Sequence, residues 1–273
     1  MASSVGRESL AEATEKFATA TAEATPEQRT TVADEILSVA TLLKAQPRLR
    51  RALTDPSRAG SARADLLRSL LAGKTTPVTV DVLATLAGGR WSRPSELLDA
   101  TEKLGVDAVL TAAERSGNLA DVEDDLFRFG QIVSGSPELA VTLSDPGAAT
   151  ARRVKLVEDL LKGKAQPATL RLVEVALEGF GGRSFEFSLT RLVELAAAKR
   201  DREVAYVTVA KPLDDAEEER LSAKLSAIYG RQMSLKVHID PKVLGGVSVQ
   251  VGSDLYDGTI LRRLNEAKQA FAK

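Results

Sequence analysis

The sequence predicts a mostly α protein: two tandem helical bundles followed by a small α/β module at the C-terminus. Three observations carry this. Apolar residues recur at helical spacing through most of the first ~200 positions. A block of roughly 90 residues is written twice. Only about the last 70 residues hold stretches that alternate with the period of a strand.

Taken in order, residues 8–24 place Leu10, Ala13, Phe17 and Ala20 on one helical stripe. Thr25-Pro26 restarts the chain, with Thr25 as N-cap and Pro26 at the first helical position. The helix that follows, to about Lys44, carries Val32, Ile36, Val39 and Leu43 on its apolar face. Gln46-Pro47 and Asp55-Pro56 punctuate, and a helix between Ala59 and Leu71 carries Leu66, Leu67, Leu70 and Leu71. After Pro77 the run VTVDVLATLA is rich enough in β-branched residues to suit a strand.

The repeat decides that run. QPRLRRALTDP (Gln46–Pro56) returns as SPELAVTLSDP (Ser136–Pro146), with Pro47, Leu49 and Leu53 matched by Pro137, Leu139 and Leu143. The offset of about 90 continues through Leu66/Leu156, Gly73-Lys74/Gly163-Lys164 and Pro77/Pro167, then slips until Gly88-Gly89-Arg90 meets Gly181-Gly182-Arg183. The second copy of the ambiguous run, ATLRLVEVALEGF, has a helical pattern, so the first copy is expected to be a buried helix.

Beyond the second Gly-Gly-Arg, Phe185–Arg200 forms a long helix with Phe185, Leu189 and Leu192 on one face. Glu203–Val209 alternates as a strand. Asp214, Asp215 and Glu217 to Glu219 charge the first turn of a helix that carries Leu221, Leu225 and Ile228 and stops at Gly230. In the next strand Leu235, Val237 and Ile239 share a face, with Ser234, Lys236, His238 and Asp240 on the other, which reads as solvated. Asp240-Pro241 breaks the strand, Gly245-Gly246 heads another with Val247, Val249 and Val251, and Asp257-Gly258 turns into a last helix through Ile260, Leu264, Ala267 and Phe271. The expected domains are 1–104, a duplicated helical bundle; 105–200, a second bundle with its connecting helix; and 201–273, the α/β module.

Composition excludes several classes of function. With 44% hydrophobic and 27% charged residues the chain is an ordinary globular one. A net charge of −1, without basic–aromatic interleaving, gives no electrostatic case for nucleic acid. The absence of cysteine removes disulfides and thiolate metal sites, and suits a reducing compartment. The start, MASSVGRESLAEATEKF, lacks a secretory pattern, and no apolar run approaches the ~20 residues of a membrane span, so membrane association is expected only through a partner.

No motif points to catalysis, a cofactor or a metal. Ala72-Gly73-Lys74-Thr75 has Arg68 where a phosphate loop needs its first glycine, follows a helix rather than a strand, and returns as Gly163-Lys164-Ala165 without a hydroxyl. Gly-Lys here reads as a helix C-cap. His238, the one histidine, sits on the polar phase of a strand. Glu123-Asp124-Asp125 and Asp214 to Glu219 read as solvated charge runs, and Trp91 as a packing residue at a helix junction.

Asp240, Leu244, Gly245, Gly246, Val249 and Gly252, followed by Tyr256, Asp257, Gly258, Ile260 and Leu264, spell D-P-x-V-L-G-G-V-x-V-x-V-G and L-Y-D-G-T-I. This resembles the C-terminal signature of the delta subunit of bacterial F-type ATP synthases, the family of the mitochondrial oligomycin-sensitivity-conferring protein. Residues from about Gly105 onward follow that family in order, and the first hundred are an addition. The resemblance implies a peripheral-stalk subunit on the cytoplasmic face of the membrane, without cofactor or catalytic residue. It implies that the bundle holds the N-terminal segment of an alpha subunit and that the C-terminal region holds the b subunits. A groove accepting that segment is expected on Val106–Ala113 and Leu170–Leu177, with Val109, Ala113, Leu172 and Val175 as candidates, although plain core has the same spacing. The alternative is a helical adaptor unrelated to ATP synthase.

Overall fold

A computed structural model describes residues 4–145, 147–241, 243, 245–252 and 254–260. The expected last helix beyond Ile260, with Leu264, Ala267 and Phe271, lies outside the described residues, as does Leu244.

The helices are α1 (Ser4–Ala20), α2 (Pro26–Ala45), α3 (Pro47–Leu53), α4 (Gly60–Leu71), α5 (Pro77–Gly88), α6 (Pro94–Arg115), α7 (Leu119–Gly135), α8 (Pro137–Ser144), α9 (Thr150–Leu161), α10 (Pro167–Leu177), α11 (Phe185–Lys199) and α12 (Asp215–Tyr229). The strands are β1 (Arg202–Val209), β2 (Gln232–Ile239), β3 (Val247–Val251) and β4 (Asp254–Asp257). The chain is thus mostly α with a small α/β module at its end. It divides into two compact units, Met1–Leu119 with Pro146–Ser188, and Ala120–Asp145 with Leu189–Lys273. The position expected to separate the first two domains, 104/105, falls within the continuous helix α6.

Local chemistry explains the helix starts. Thr25 caps α2 in a reciprocal box with Gln28, and Pro26 stands at the first turn. Thr76 caps α5, and the Glu35 carboxylate receives the Thr76 N–H (2.9 Å) and the Thr76 and Thr79 hydroxyls. The β-branched run is a helix because Val82, Leu83, Leu86 and Ala87 bury one face while Thr79, 0% exposed, is satisfied within it. Gly73 and Gly163 close α4 and α9 at φ 69° and 71°, and Lys74 and Lys164 donate their N–H groups to Leu71 and Leu161 at 2.9 Å each. That is the C-cap expected of Gly-Lys.

The repeat runs further in structure than its sequence landmarks. At the same offset, Val32/Val122, Ile36/Leu126, Leu43/Val133, Leu53/Leu143, Thr79/Thr169, Val82/Leu172 and Ala87/Leu177 are all buried. Arg63 and Arg153 are buried as well, at 6% and 8% exposure. Arg63 donates to the carbonyls of Ala87, Gly88 and Gly89 at the end of α5, and Arg153 to that of Leu177 at the end of α10. Each copy therefore ties off its fifth helix with an arginine.

In the second unit the sheet has the order β2-β1-β3-β4. β1 and β2 run parallel, joined through α12, while β3 is antiparallel to β1 and β4 to β3. Ala205, Val207, Val209, Met233, Val249 and Val251 pack with Leu225 of α12. The strand alternation holds as far as Val237, with Ile239 46% exposed, but one expectation fails: on the polar phase of β2, Ser234 and Lys236 are not solvated. Ser234 and Lys236 are 7% and 3% exposed. Lys236 Nζ lies 2.9 Å from Glu123 and 2.6 Å from Asp124, and Glu123, 0% exposed, also takes Arg200 at 2.7 Å and the Ser234 hydroxyl. The expectation of a solvated Glu123 fails with it; the carboxylate is buried because three donors, Arg200 after α11 and Ser234 and Lys236 on β2, converge on it. His238 stays exposed, with Nδ1 2.7 Å from Gln131 Oε1.

The signature residues build this module. Gly246 sits at φ 84°, and a Cβ there would come within 2.4 Å of the Gly258 carbonyl. Gly258 N–H donates to Val247, Ile260 N–H to Gly245, and Asp240 N–H to Val209. Gly245 and Gly252 also lie at positive φ. Tyr256 pairs with Val249 across β3 and β4, a strand the expected turn at Asp257-Gly258 did not foresee. Asp257 does cap the Thr259 N–H, at 3.0 Å.

Candidate functional site

In the first unit a cleft of about 460 Å³ opens between α2, α6 and α10. Val109 and Ala113 of α6, 5% and 4% exposed, lie in it. Opposite them stand Ala33 and Asp34 of α2, with Leu170 and Arg171 of α10. The apolar stripe of α6 makes one side, and the close approach of α2 to α6 is allowed by Gly105, whose missing Cβ would meet Leu37 Cδ2 at 2.5 Å.

Polar groups fix the rim. Arg171 Nε donates to Asp34 at 2.8 Å and its Nη1 to Glu174 at 2.7 Å. Burial opposes the charge on Arg171, but Glu174 and Asp34 outweigh it and the guanidinium holds its proton more firmly than usual. Thr41 and Lys44 of α2 bond Glu178 just beyond α10, so α2 is fastened along that helix.

The four expected residues divide. Val109 and Ala113 share the cleft. Leu172 is fully buried and does not line it, while Val175 lines a neighbouring recess of about 70 Å³ with Leu37, Thr41 and Glu178. Sequence spacing missed Leu170 and Arg171, because counting apolar positions selects the core face of α10. It missed α2 altogether, since nothing in the sequence joins residues 30–34 to residues 109–113.

Among the described residues no cluster of three or more His, Asp or Glu could hold a metal, and no helix is long and apolar enough to cross a membrane. Trp91 donates its indole N–H to the Leu86 carbonyl at 3.0 Å, the junction packing expected of it.

A model of the family "ATP synthase delta (OSCP) subunit" matches residues 106–271, more than half the chain. "ATP synthase subunit delta" of Salinispora arenicola is 61% identical over 250 residues, covering 92% of this chain and 91% of that one. Its counterpart in Streptomyces griseus is 44% identical over 269 residues, covering 98% and 99%. This second relative spans the first hundred residues too, so the added copy is shared. A chain in a cryo-EM structure of the Toxoplasma gondii mitochondrial ATP synthase hexamer is similar at 20% identity and a TM-score of 0.35, over 62% of this chain and 95% of that one. On the family match and the full-length relatives, the chain belongs to the ATP synthase delta (OSCP) subunit family, a structural and non-catalytic part of the peripheral stalk.

Proposed function

We propose that the chain links the catalytic head to the b subunits on the cytoplasmic face of the membrane and resists the torque of the rotor. The α2–α6–α10 cleft takes the N-terminal segment of an alpha subunit as a helix laid in a groove. What supports this is the apolar side formed by Val109 and Ala113 facing an open volume of about 460 Å³. A stator part needs firm grips on its partners and no reacting groups. The C-terminal module, 201–273, would carry the b contact.

The cleft has one wall from each copy, so the added bundle 1–104 takes part in the same grip through Ala33 and Asp34. The test is reconstitution. The full chain is mixed with a catalytic head stripped of its own delta subunit and followed by size exclusion, then again after the alpha N-terminal segment is clipped. Co-migration lost on clipping is the expected result. Co-migration that survives clipping overturns the cleft assignment.

A further inference from the structure

The two copies differ most in charge at one place. Helix α3, PRLRRAL, carries Arg48, Arg50 and Arg51 where α8, PELAVTLS, carries Glu138, Ala140 and Val141. The segment after each Gly-Gly differs in the same sense: Arg90-Trp91-Ser92-Arg93 stands where the second copy has Arg183-Ser184-Phe185-Glu186. Two separate stretches of the first copy are thus more basic than their counterparts in the second, and one holds the chain's single tryptophan.

The fold brings them together. Two adjoining open clefts of about 510 and 440 Å³ share Thr54, Pro56, Arg58 and Trp91. Arg51 and Arg93 line the first, and Arg63 and Arg90 the second. Two acids are nearby, and both are engaged. Asp55 accepts from the Ser57 N–H and hydroxyl, which hold its carboxyl below the usual range together with Arg58 and Arg63. Glu96, 4% exposed, accepts from the Ser92 N–H and stands 3.7 Å from Arg93. Among the described residues neither the Arg51 nor the Arg90 side chain has an ion-pair partner.

We propose that this face of the first copy docks an acidic amphipathic segment of a partner protein. Its carboxylates meet the Arg51, Arg58, Arg90 and Arg93 guanidinium forks, which match carboxylate geometry, and an apolar side chain rests against Trp91. The shape argues for side chains rather than a lipid surface. The recesses are concave, and the indole is anchored inward to Leu86 rather than free to insert among acyl chains. The proposal is independent of the α2–α6–α10 cleft and stands or falls separately.

Trp91 is the only tryptophan, so its emission reports on this site alone. The full chain is titrated with an amphipathic helical peptide of Glu and Leu, with the same peptide carrying Gln for Glu, and with phosphatidylglycerol vesicles. The Glu peptide is expected to give a saturable change in emission, weakening about tenfold between low and physiological salt. Arg51→Gln with Arg90→Gln is expected to weaken it about tenfold again while leaving the melting curve unchanged, because both side chains are exposed and neither is paired to a buried acid. No saturable change, equal binding of the Gln peptide, or a stronger response to the vesicles overturns the proposal.

Discussion

Lys236 Nζ on β2 lies 2.9 Å from the carboxylate of Glu123 on α7, and the two side chains are 2% and 0% exposed. The same carboxylate receives Arg200 and Ser234. Removing the acid leaves two cations facing each other without their shared partner. Removing Lys236 leaves Glu123 still bonded twice. Glu123→Ala should therefore cost the second unit about 3–5 kcal/mol and Lys236→Met clearly less. The double variant should recover about 1–3 kcal/mol of the summed loss. A chain with two compact units need not melt in one step, so the readout is hydrogen exchange of the β1 and β2 amides. Strict additivity would show that the three donors do not act as one network.

Arg63 fastens the end of α5 through Ala87, Gly88 and Gly89 and also bonds the Asp55 and Arg58 carbonyls. Arg63→Met strands buried carbonyl oxygens and should lower stability by about 2–3 kcal/mol. Arg63→Lys should restore little of it, because an ammonium cannot reach several carbonyls with a planar fork. Thermal melts followed by circular dichroism would check this, and full rescue by lysine would sink it.

Most of the fold was legible because its signals are local. Thr25-Pro26, Gly73-Lys74 and the alternation of Val247, Val249 and Val251 each act within a few residues, and the duplication turned the ambiguous run after Pro77 into a helix. What failed was tertiary. Period two separated Ser234 and Lys236 correctly from Leu235 and Val237, yet it could not show that α7 would cover the polar side. Glu123 looked solvated because burial by a distant arginine, lysine and serine leaves no trace in neighbouring residues. The same reason hid Asp34 and Arg171 from the cleft, where residues 137 positions apart meet.

Glu102 offers a test of pH dependence. Its carboxyl is pushed above the usual range by burial, against the opposing Gly181 N–H bond and the Lys44 charge. A raised folded-state pKa means that the protonated form fits best: no penalty exists below the unfolded value, and stability falls as pH rises through the folded value. Glu102→Gln keeps an oxygen acceptor for Gly181 and removes the charge. It should raise the melting temperature at neutral pH, with the advantage shrinking as pH falls and vanishing below the ordinary carboxyl range. An advantage that persists at low pH would mean that something other than the buried charge is responsible.

Gly105 sets the approach of α2 to α6. A Cβ there would sit 2.5 Å from Leu37 Cδ2 and 3.3 Å from Ile36 Cγ2. Gly105→Val should cost about 1–3 kcal/mol through overpacking. It should also displace the α2 wall and weaken binding of the alpha segment more than Gly105→Ala does. Parallel melts and titrations with a synthetic alpha N-terminal peptide would decide, and an unchanged affinity would separate α2 from the cleft.

The last prediction separates groove from core among the four residues picked from spacing. Ala113 borders open volume while Leu172, 0% exposed, is packed on all sides. Ala113→Leu projects its added atoms into the cleft, so it should lower affinity for the alpha peptide at least tenfold with little change in melting temperature. Leu172→Ala leaves a cavity in the core, and should cost about 2–5 kcal/mol while changing affinity little once the protein is held at a temperature where it remains folded. The pair works as a cross, each variant moving the quantity the other leaves alone. If Ala113→Leu binds the peptide as the parent does, the segment lies elsewhere on the first unit, and Val109 with Ala113 is only a lining of packed helices.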